Sequence, residues 1–259
     1  MIEIPDSLQV EQMGSVLVVT LTRPAKRNAL NDSTVLGLEH VFDNIPDSVG
    51  AAVLHGAGDH FCAGLDLSEL TDRDAVEGVL HSRMWHRTLD RVQFGRVPVV
   101  AALHGAVVGG GLELAAACHI RVAEPSAFFA LPEGQRGIFV GGGASVRVPK
   151  LIGIARMTDM MLTGRVYSAE EGATIGLAQY LVNAGEGRAK ALALADKIAQ
   201  NTPMTNFAIT HVLPRIAEVG QDQGLMMESL TAAIAQSAPE AKARVQQFLD
   251  KKAKKVGAA

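Results

Sequence analysis

Two acids and a run of glycines are the residues of this chain whose types and spacing could do chemistry. Gly109-Gly110-Gly111 stands between an apolar strand-like run and Leu112-Glu113-Leu114-Ala115-Ala116-Ala117-Cys118, a segment that favours helix on every side. Three glycines there let backbone N–H groups approach a ligand and aim outward, where a helix start adds positive dipole density. Fixed donors of that kind can hold an oxyanion without reorganising. The same glycines also suit a tight turn with no chemistry. Glu113 lies in the first turn of the apolar helix. Its carboxylate must be hydrogen-bonded, ion-paired or used, because burying it unpaired costs roughly several kcal/mol. A salt bridge to Arg121 is the structural alternative. Glu133 follows Pro132 at the end of a short strand and precedes Gly134. That is where α/β proteins put site residues, and also where solvated loop acids occur.

The elements that must position these groups alternate along the chain. Val16 to Leu21 reads as a strand ended by Arg23-Pro24, followed by the polar loop Ala25-Lys26-Arg27-Asn28. A helix follows, with Asn31, Asp32 or Ser33 as cap and Val35, Leu38, Val41 and Phe42 at helical spacing. Ala51 to Gly56 is a buried strand, Asp59 to Leu67 a loop of small residues, and 74 to 95 a helix. Pro98 to Leu103 is an apolar strand, and Phe128 to Leu131 another. Repeated strand-loop-helix units predict α/β architecture with ligands at the turns where strands end. From about residue 185 the pattern is helical, covering Arg188 to Gln200, Thr205 to Val219 and Ala238 to Lys255, and is taken as a C-terminal appendage.

Composition narrows the functions. With 24 Lys and Arg against 27 Asp and Glu, the net charge of -3 gives no electrostatic basis for nucleic acid or an anionic membrane as partner. Cys62 and Cys118 are too few for a disulfide framework and sit in apolar runs, as expected of reduced thiols in a cytoplasmic protein. The N-terminus shows no basic and apolar leader pattern, and no long uncharged apolar stretch reads as a membrane span. The histidines and acids have no metal-ligand spacing, and no Ser-His-Asp or Cys-His set is better placed than the two glutamates.

Several motifs, in order, resemble one family. Ala102-Leu103-His104-Gly105 with Gly109-Gly110-Gly111-Leu112-Glu113-Leu114 resembles the oxyanion turn and helix of the enoyl-CoA hydratase/isomerase (crotonase) superfamily. Phe61-Cys62-Ala63-Gly64-Leu65-Asp66 is similar to its other oxyanion and CoA-binding segment. Arg23-Pro24 with Asn28-Ala29-Leu30, then Leu162-Thr163-Gly164, Ala169-Glu170-Glu171-Gly172-Ala173 and Gly176-Leu177, match further parts. The resemblance spans about residues 15 to 183. It implies an α/β fold, a spiral of repeated ββα units with a C-terminal α-helical appendage, divided as a core of 1–195 and a helical oligomerisation region of 196–259. It implies that the N–H groups of Leu65 and Gly110 hold a thioester oxygen, with Glu113 and Glu133 on the two acid positions of the hydratases. CoA contacts are implied near 25 to 29 and 61 to 67, at Lys26, Arg27, Ala29, Phe61, Ala63, Asp66 and Leu67, with Phe248 and Lys251 supplied by a neighbouring subunit of a homotrimer or dimer of trimers. No cofactor is implied beyond the CoA carried by the substrate.

Both acids together favour addition of water across the double bond of a 2-enoyl-CoA. Attack at C3 needs a base and carbanion-like C2 needs a proton. The resemblance implies that Glu113 serves chiefly the attacking water and Glu133 delivers the proton to C2. Leu131 replaces a polar amide that short-chain hydratases carry, and Val140 stands where proline is usual. Two other readings stand beside hydration: an isomerase of the same family that moves a double bond with one carboxylate and, suggested by these departures, a non-catalytic acyl-CoA-binding scaffold. His119 is read as a packing or locally hydrogen-bonded residue.

Overall fold

The computed structural model describes residues 4–69 and 73–250, which form two compact units dividing between Ala199 and Gln200. In the first unit, β1 (Leu8–Met13) pairs antiparallel with β2 (Val16–Leu21). Then follow α1 (Asp32–Asp43), β3 (Ala51–Gly56), α2 (Ala75–Gln93), β4 (Val99–Leu103), β5 (Ala106–Val108), α3 (Gly110–Ala117), β6 (Ile120–Ala123), β7 (Phe128–Ala130), α4 (Ala144–Ile152), α5 (Ile154–Thr163), β8 (Tyr167–Ser168), α6 (Ala169–Ile175), β9 (Tyr180–Leu181) and α7 (Gly187–Ala199). Strand order in the large sheet is β1-β2-β3-β4-β6-β9, parallel from β2 onward, and a small sheet runs β5-β7-β8.

The chain advances as a spiral, each turn giving a strand to the large sheet, a bridge or strand to the small one, and then a helix. Single bridges Leu30↔Leu65 and Cys62↔Val107 extend the small sheet's pattern into the first two turns. β4-β5-α3 and β6-β7-α4 are the complete ββα turns, and β5 pairs parallel with β7. This is the repeated ββα architecture expected from the sequence.

Strand periodicity explains the layers. Leu17, Val19, Leu54, Ala101 and Leu103 face the main core under α1, α2 and α3. Their neighbours Val16, Val18, Val53, Val100 and Ala102 face the other way, onto Ala191 and Ala195 of α7. A sheet covered on both faces needs apolar residues at every position, which is why its strands read as unbroken apolar runs. The helix expected over 188 to 200 is therefore a covering layer of the sheet and not part of the appendage. The expected boundary at residue 195 falls inside α7, four residues short of the division observed at Ala199.

The second unit contains only helices among its described residues: α8 (Pro203–Phe207), a π-helical turn over Ala208–Val212, α9 (Leu213–Ile216), α10 (Gln221–Ser237) and α11 (Pro239–Leu249). Leu225, Met226, Leu230 and Ile234 of α10 and Val245, Phe248 and Leu249 of α11 are exposed. Among the described residues no helix is long and apolar enough to cross a membrane.

Candidate active site

The two glutamates and the glycine turn meet in one cavity of about 250 Å³, walled also by Leu65, Trp85 and Gly142. Its parts come from consecutive turns of the spiral. Leu65 lies on the second-turn loop, Gly110 and Glu113 on α3 of the third, and Glu133 after β7 of the fourth.

Backbone pairing builds the donor side. Leu30 N–H donates to Gly64 O at 2.7 Å and Asp66 N–H to Leu30 O at 2.8 Å, so Leu65 is held between them with its own N–H left over. Gly110 is the first residue of α3, where an N–H has no partner inside the helix. Neither N–H meets an acceptor among the described residues. The two lie side by side: a methyl placed on Gly110 would fall 3.3 Å from Leu65 N and 2.9 Å from the Trp85 ring. Such a notch can take one anionic oxygen.

Glu113 is 4% exposed, and its carboxylate is met by backbone donors rather than by Arg121. Gly142 N–H donates to both oxygens (2.9 and 3.0 Å) and Ala144 N–H to Oε1 (3.0 Å), at the start of α4. Burial pushes this carboxyl above its ordinary range, and the N–H groups of Ala144 and Gly142, with the Arg147 charge, offset that only in part, so it stays raised. Arg121 instead lies at the other end of α3, donating to Cys118 O at 2.7 Å and Leu177 O at 2.9 Å, a cation at a helix C-terminus.

Glu133 is 8% exposed and its Oε2 is buried without a hydrogen-bond partner. Burial raises its pKa to about 7; its own N–H opposes the shift, and the charge of Glu113 adds to it. Leu131, fully buried, offers no donor to either acid. The pair is thus asymmetric. Glu113 has donors that favour its ionised form, and Glu133 has an orphaned oxygen that favours the proton. A carboxyl whose pKa is raised on folding loses stability as pH rises through the folded value. Glu133→Gln should therefore be more heat-stable than the parent at pH 8, by about 1–3 kcal/mol, with the gap closing below pH 5. Paired melting curves at the two pH values test this, and a gap that does not depend on pH would contradict it.

The two segments expected at CoA are stitched together. Arg23 pairs with Asp66 at 2.7 Å and donates to Ala29 O, and Asn28 donates to Ala57 O and His60 O. Arg27 and Asn28 take left-handed backbone (φ 50° and 55°), which costs of order 1 kcal/mol or more each and persists because these bonds fix the loop. Lys26 and Arg27 are exposed, Ala63 and Leu67 line the cavity, and Ala29 is half-buried nearby. The Phe61 ring is wholly enclosed in the core. The Asp66 carboxylate accepts from Ser68 and Arg23, which hold its pKa down at about 2, and it ties the two loops together. Phe248 is exposed on α11 of the second unit, and Lys251 lies outside the described residues.

Burial pushes both thiols to about 12, so Cys62 and Cys118 pack as small apolar groups. His119 accepts from Val99 N–H at 2.9 Å, the local hydrogen bond expected of it. Trp85 was not singled out by sequence reasoning, although the single Trp of a chain with 4% aromatics was a usable signal. Among the described residues no group of three or more His, Cys, Asp or Glu could hold a metal ion.

A family model for enoyl-CoA hydratase/isomerase matches residues 11–257. A short-chain-enoyl-CoA hydratase of Clostridium acetobutylicum is 32% identical over 246 residues, covering 94% of each chain. A carnitinyl-CoA dehydratase of Proteus mirabilis is 34% identical, covering 84% of each. A crystal structure from Rhodopseudomonas palustris, provisionally named an enoyl-CoA hydratase, superposes with a TM-score of 0.93 at 60% identity, covering 95% of each chain.

Proposed function

Because this chain belongs to the enoyl-CoA hydratase/isomerase family and is an enzyme of the hydro-lyase type, we propose that it adds water across the 2,3 double bond of a 2-enoyl-CoA thioester, using Glu113 and Glu133. The observation that carries this reading is that both carboxylates and two unpartnered N–H groups share one cavity. The thioester oxygen lies in the notch between Leu65 N–H and Gly110 N–H. As water attacks C3, electrons move through the conjugated system onto that oxygen, and the two donors stabilise the enolate-like charge. Glu113, ionised, takes a proton from the water; Glu133, protonated, delivers one to C2. One carboxylate opens the step and the other closes it, and the pair titrates as a coupled unit.

The reading extends to binding. Lys26 and Arg27 meet the CoA phosphates, with Ala29, Ala63 and Leu67 along its path, and no cofactor is required beyond CoA itself. The exposed apolar residues of α10 and α11 favour a homotrimer or dimer of trimers, to which Phe248 and Lys251 of a neighbouring copy contribute. Light scattering that finds only monomer would refute this. Two buried, inert thiols agree with a cytoplasmic location, which cell fractionation tests.

The test of function is direct. Purified protein with crotonyl-CoA should bleach the conjugated-enoyl absorbance, and failure with short, medium and aromatic enoyl-CoAs alike would remove the hydratase reading. The isomerase reading draws on the lack of any donor from Leu131 and separates cleanly: an isomerase relying on Glu133 survives Glu113→Ala, whereas the hydratase does not. A non-catalytic scaffold would bind CoA yet give no product with any thioester.

A further inference from the structure

We infer that Arg147 is a positioning residue for Glu113, acting through Gly142, so that the catalytic geometry of the site depends on a guanidinium that never touches substrate. The inference rests on the reading of Glu113 as the base that activates water.

The geometry is specific. Arg147 lies in the first turns of α4 and is 8% exposed. All three of its nitrogens are engaged: Nη1 donates to Gly142 O at 3.0 Å, Nε to Gln93 Oε1 at 2.6 Å, and Nη2 to Asp90 Oδ1 at 2.6 Å. Asp90 and Gln93 belong to α2, the helix that also carries Trp85. Gly142 is therefore gripped at both ends. Its carbonyl is held by Arg147, and its N–H donates to both oxygens of Glu113.

The sequence explains why the grip is needed. Gly141-Gly142-Gly143 is backbone of the most permissive kind, and fixing it in one conformation costs more conformational entropy than fixing any other residues would. Glu113 depends on N–H groups within and just after this run. Without an outside restraint they would not hold one orientation. Gly143 adds a second sign that the loop and Arg147 are fitted to each other: its φ is +106°, and a methyl there would fall 2.1 Å from Nη1 of Arg147. Only glycine leaves the guanidinium its place.

Arg147 also acts through charge, lowering the proton affinity that burial gives Glu113. The other titratable groups around the pair are Glu133, Arg136 and His81 on the same cavity, and Asp90, His86 and Arg83 of α2. Because several groups titrate there, the decisive measurement must report on Glu113 itself.

Arg147→Met should lower kcat for enoyl-CoA hydration by about ten- to a hundredfold, the scale set by small misplacements of a catalytic group, with KM changed less than about threefold. Removing the cation raises the pKa of Glu113, so the acid limb of the rate profile moves to higher pH. Arg147→Lys should recover part of the loss, and Gln93→Met, which removes the neutral partner of Nε and leaves every charge in place, should shift the limb in the same direction by less. Glutamate labelled with carbon-13 at the side-chain carboxyl, assigned by Glu113→Gln, reports the same shift without turnover. A higher titration midpoint for that resonance in folded Arg147→Met protein supports the inference. An unmoved Glu113 titration, or equal losses in kcat and in substrate binding with an unmoved limb, overturns it. Should Arg147→Met not fold, Gln93→Met decides by the same titration. If the parent protein turns over no thioester, the hydratase reading falls while the titration still tests the coupling of Arg147 to Glu113.

Discussion

Glu113→Gln and Glu133→Gln are each expected to lower kcat for hydration of an enoyl-CoA by about 10²–10⁴-fold, with little change in KM. The double variant should be no worse than about the poorer single one. Each glutamate handles a proton that the other cannot reach at the same moment, and residues that act as a unit give losses that do not add. The asymmetry of their surroundings fixes the sign of the pH dependence. Glu133 must carry its proton, so hydration should decline as pH rises through about 7, its folded-state value. Glu113 must be ionised, so the rate also falls on the acid side, and Glu113→Gln should abolish that limb in the residual activity. Rate profiles of the parent and the two variants measure this. Retention of most activity by either variant would break the pairing.

Gly110→Ala carries the second large effect. The added methyl would lie 3.3 Å from Leu65 N and 2.9 Å from the Trp85 ring, in the notch where the thioester oxygen is placed. Oxyanion donors are worth about 10²–10³-fold in kcat, and obstruction of both should cost at least that. Alanine is otherwise a better helix former than glycine, so α3 itself should not suffer. Circular dichroism and turnover measured together separate the outcomes. Folded protein with parental kcat would show that the oxygen binds elsewhere.

Much of this was legible in the chain, for reasons that can be named. Val16 to Leu21, Ala51 to Gly56 and Pro98 to Leu103 read as strands because a sheet covered on both faces needs apolar residues throughout. Glu113 was legible because a lone acid in an apolar helix has few explanations. Other features were not. Val146, Val148 and Pro149 hide α4, whose start is instead fixed by the Glu113 carboxylate accepting from Ala144 N–H. β1 is a mostly exposed edge strand with polar residues interleaved, too weak a pattern to stand out. α7 looked like the first helix of an appendage because no local signal says which surface an Ala-rich helix covers. Asp66 and Phe61 sit in a loop that resembles a binding segment, yet their roles depend on Arg23 and the core, which are distant in sequence. Arg147 was invisible for the same reason: its partners Asp90, Gln93 and Gly142 meet only after the spiral closes.

The central claim is that two carboxylates from successive turns act on one thioester held between Leu65 and Gly110. Turnover of crotonyl-CoA in oxygen-18 water and deuterium oxide, read by mass spectrometry, tests it most directly. The account predicts a 3-hydroxyacyl thioester carrying the heavy oxygen at C3 and one deuterium at C2, formed by the parent and lost in both Glu113→Gln and Glu133→Gln. A thioester whose double bond has moved without uptake of the heavy oxygen, or label uptake that survives either substitution, would contradict it.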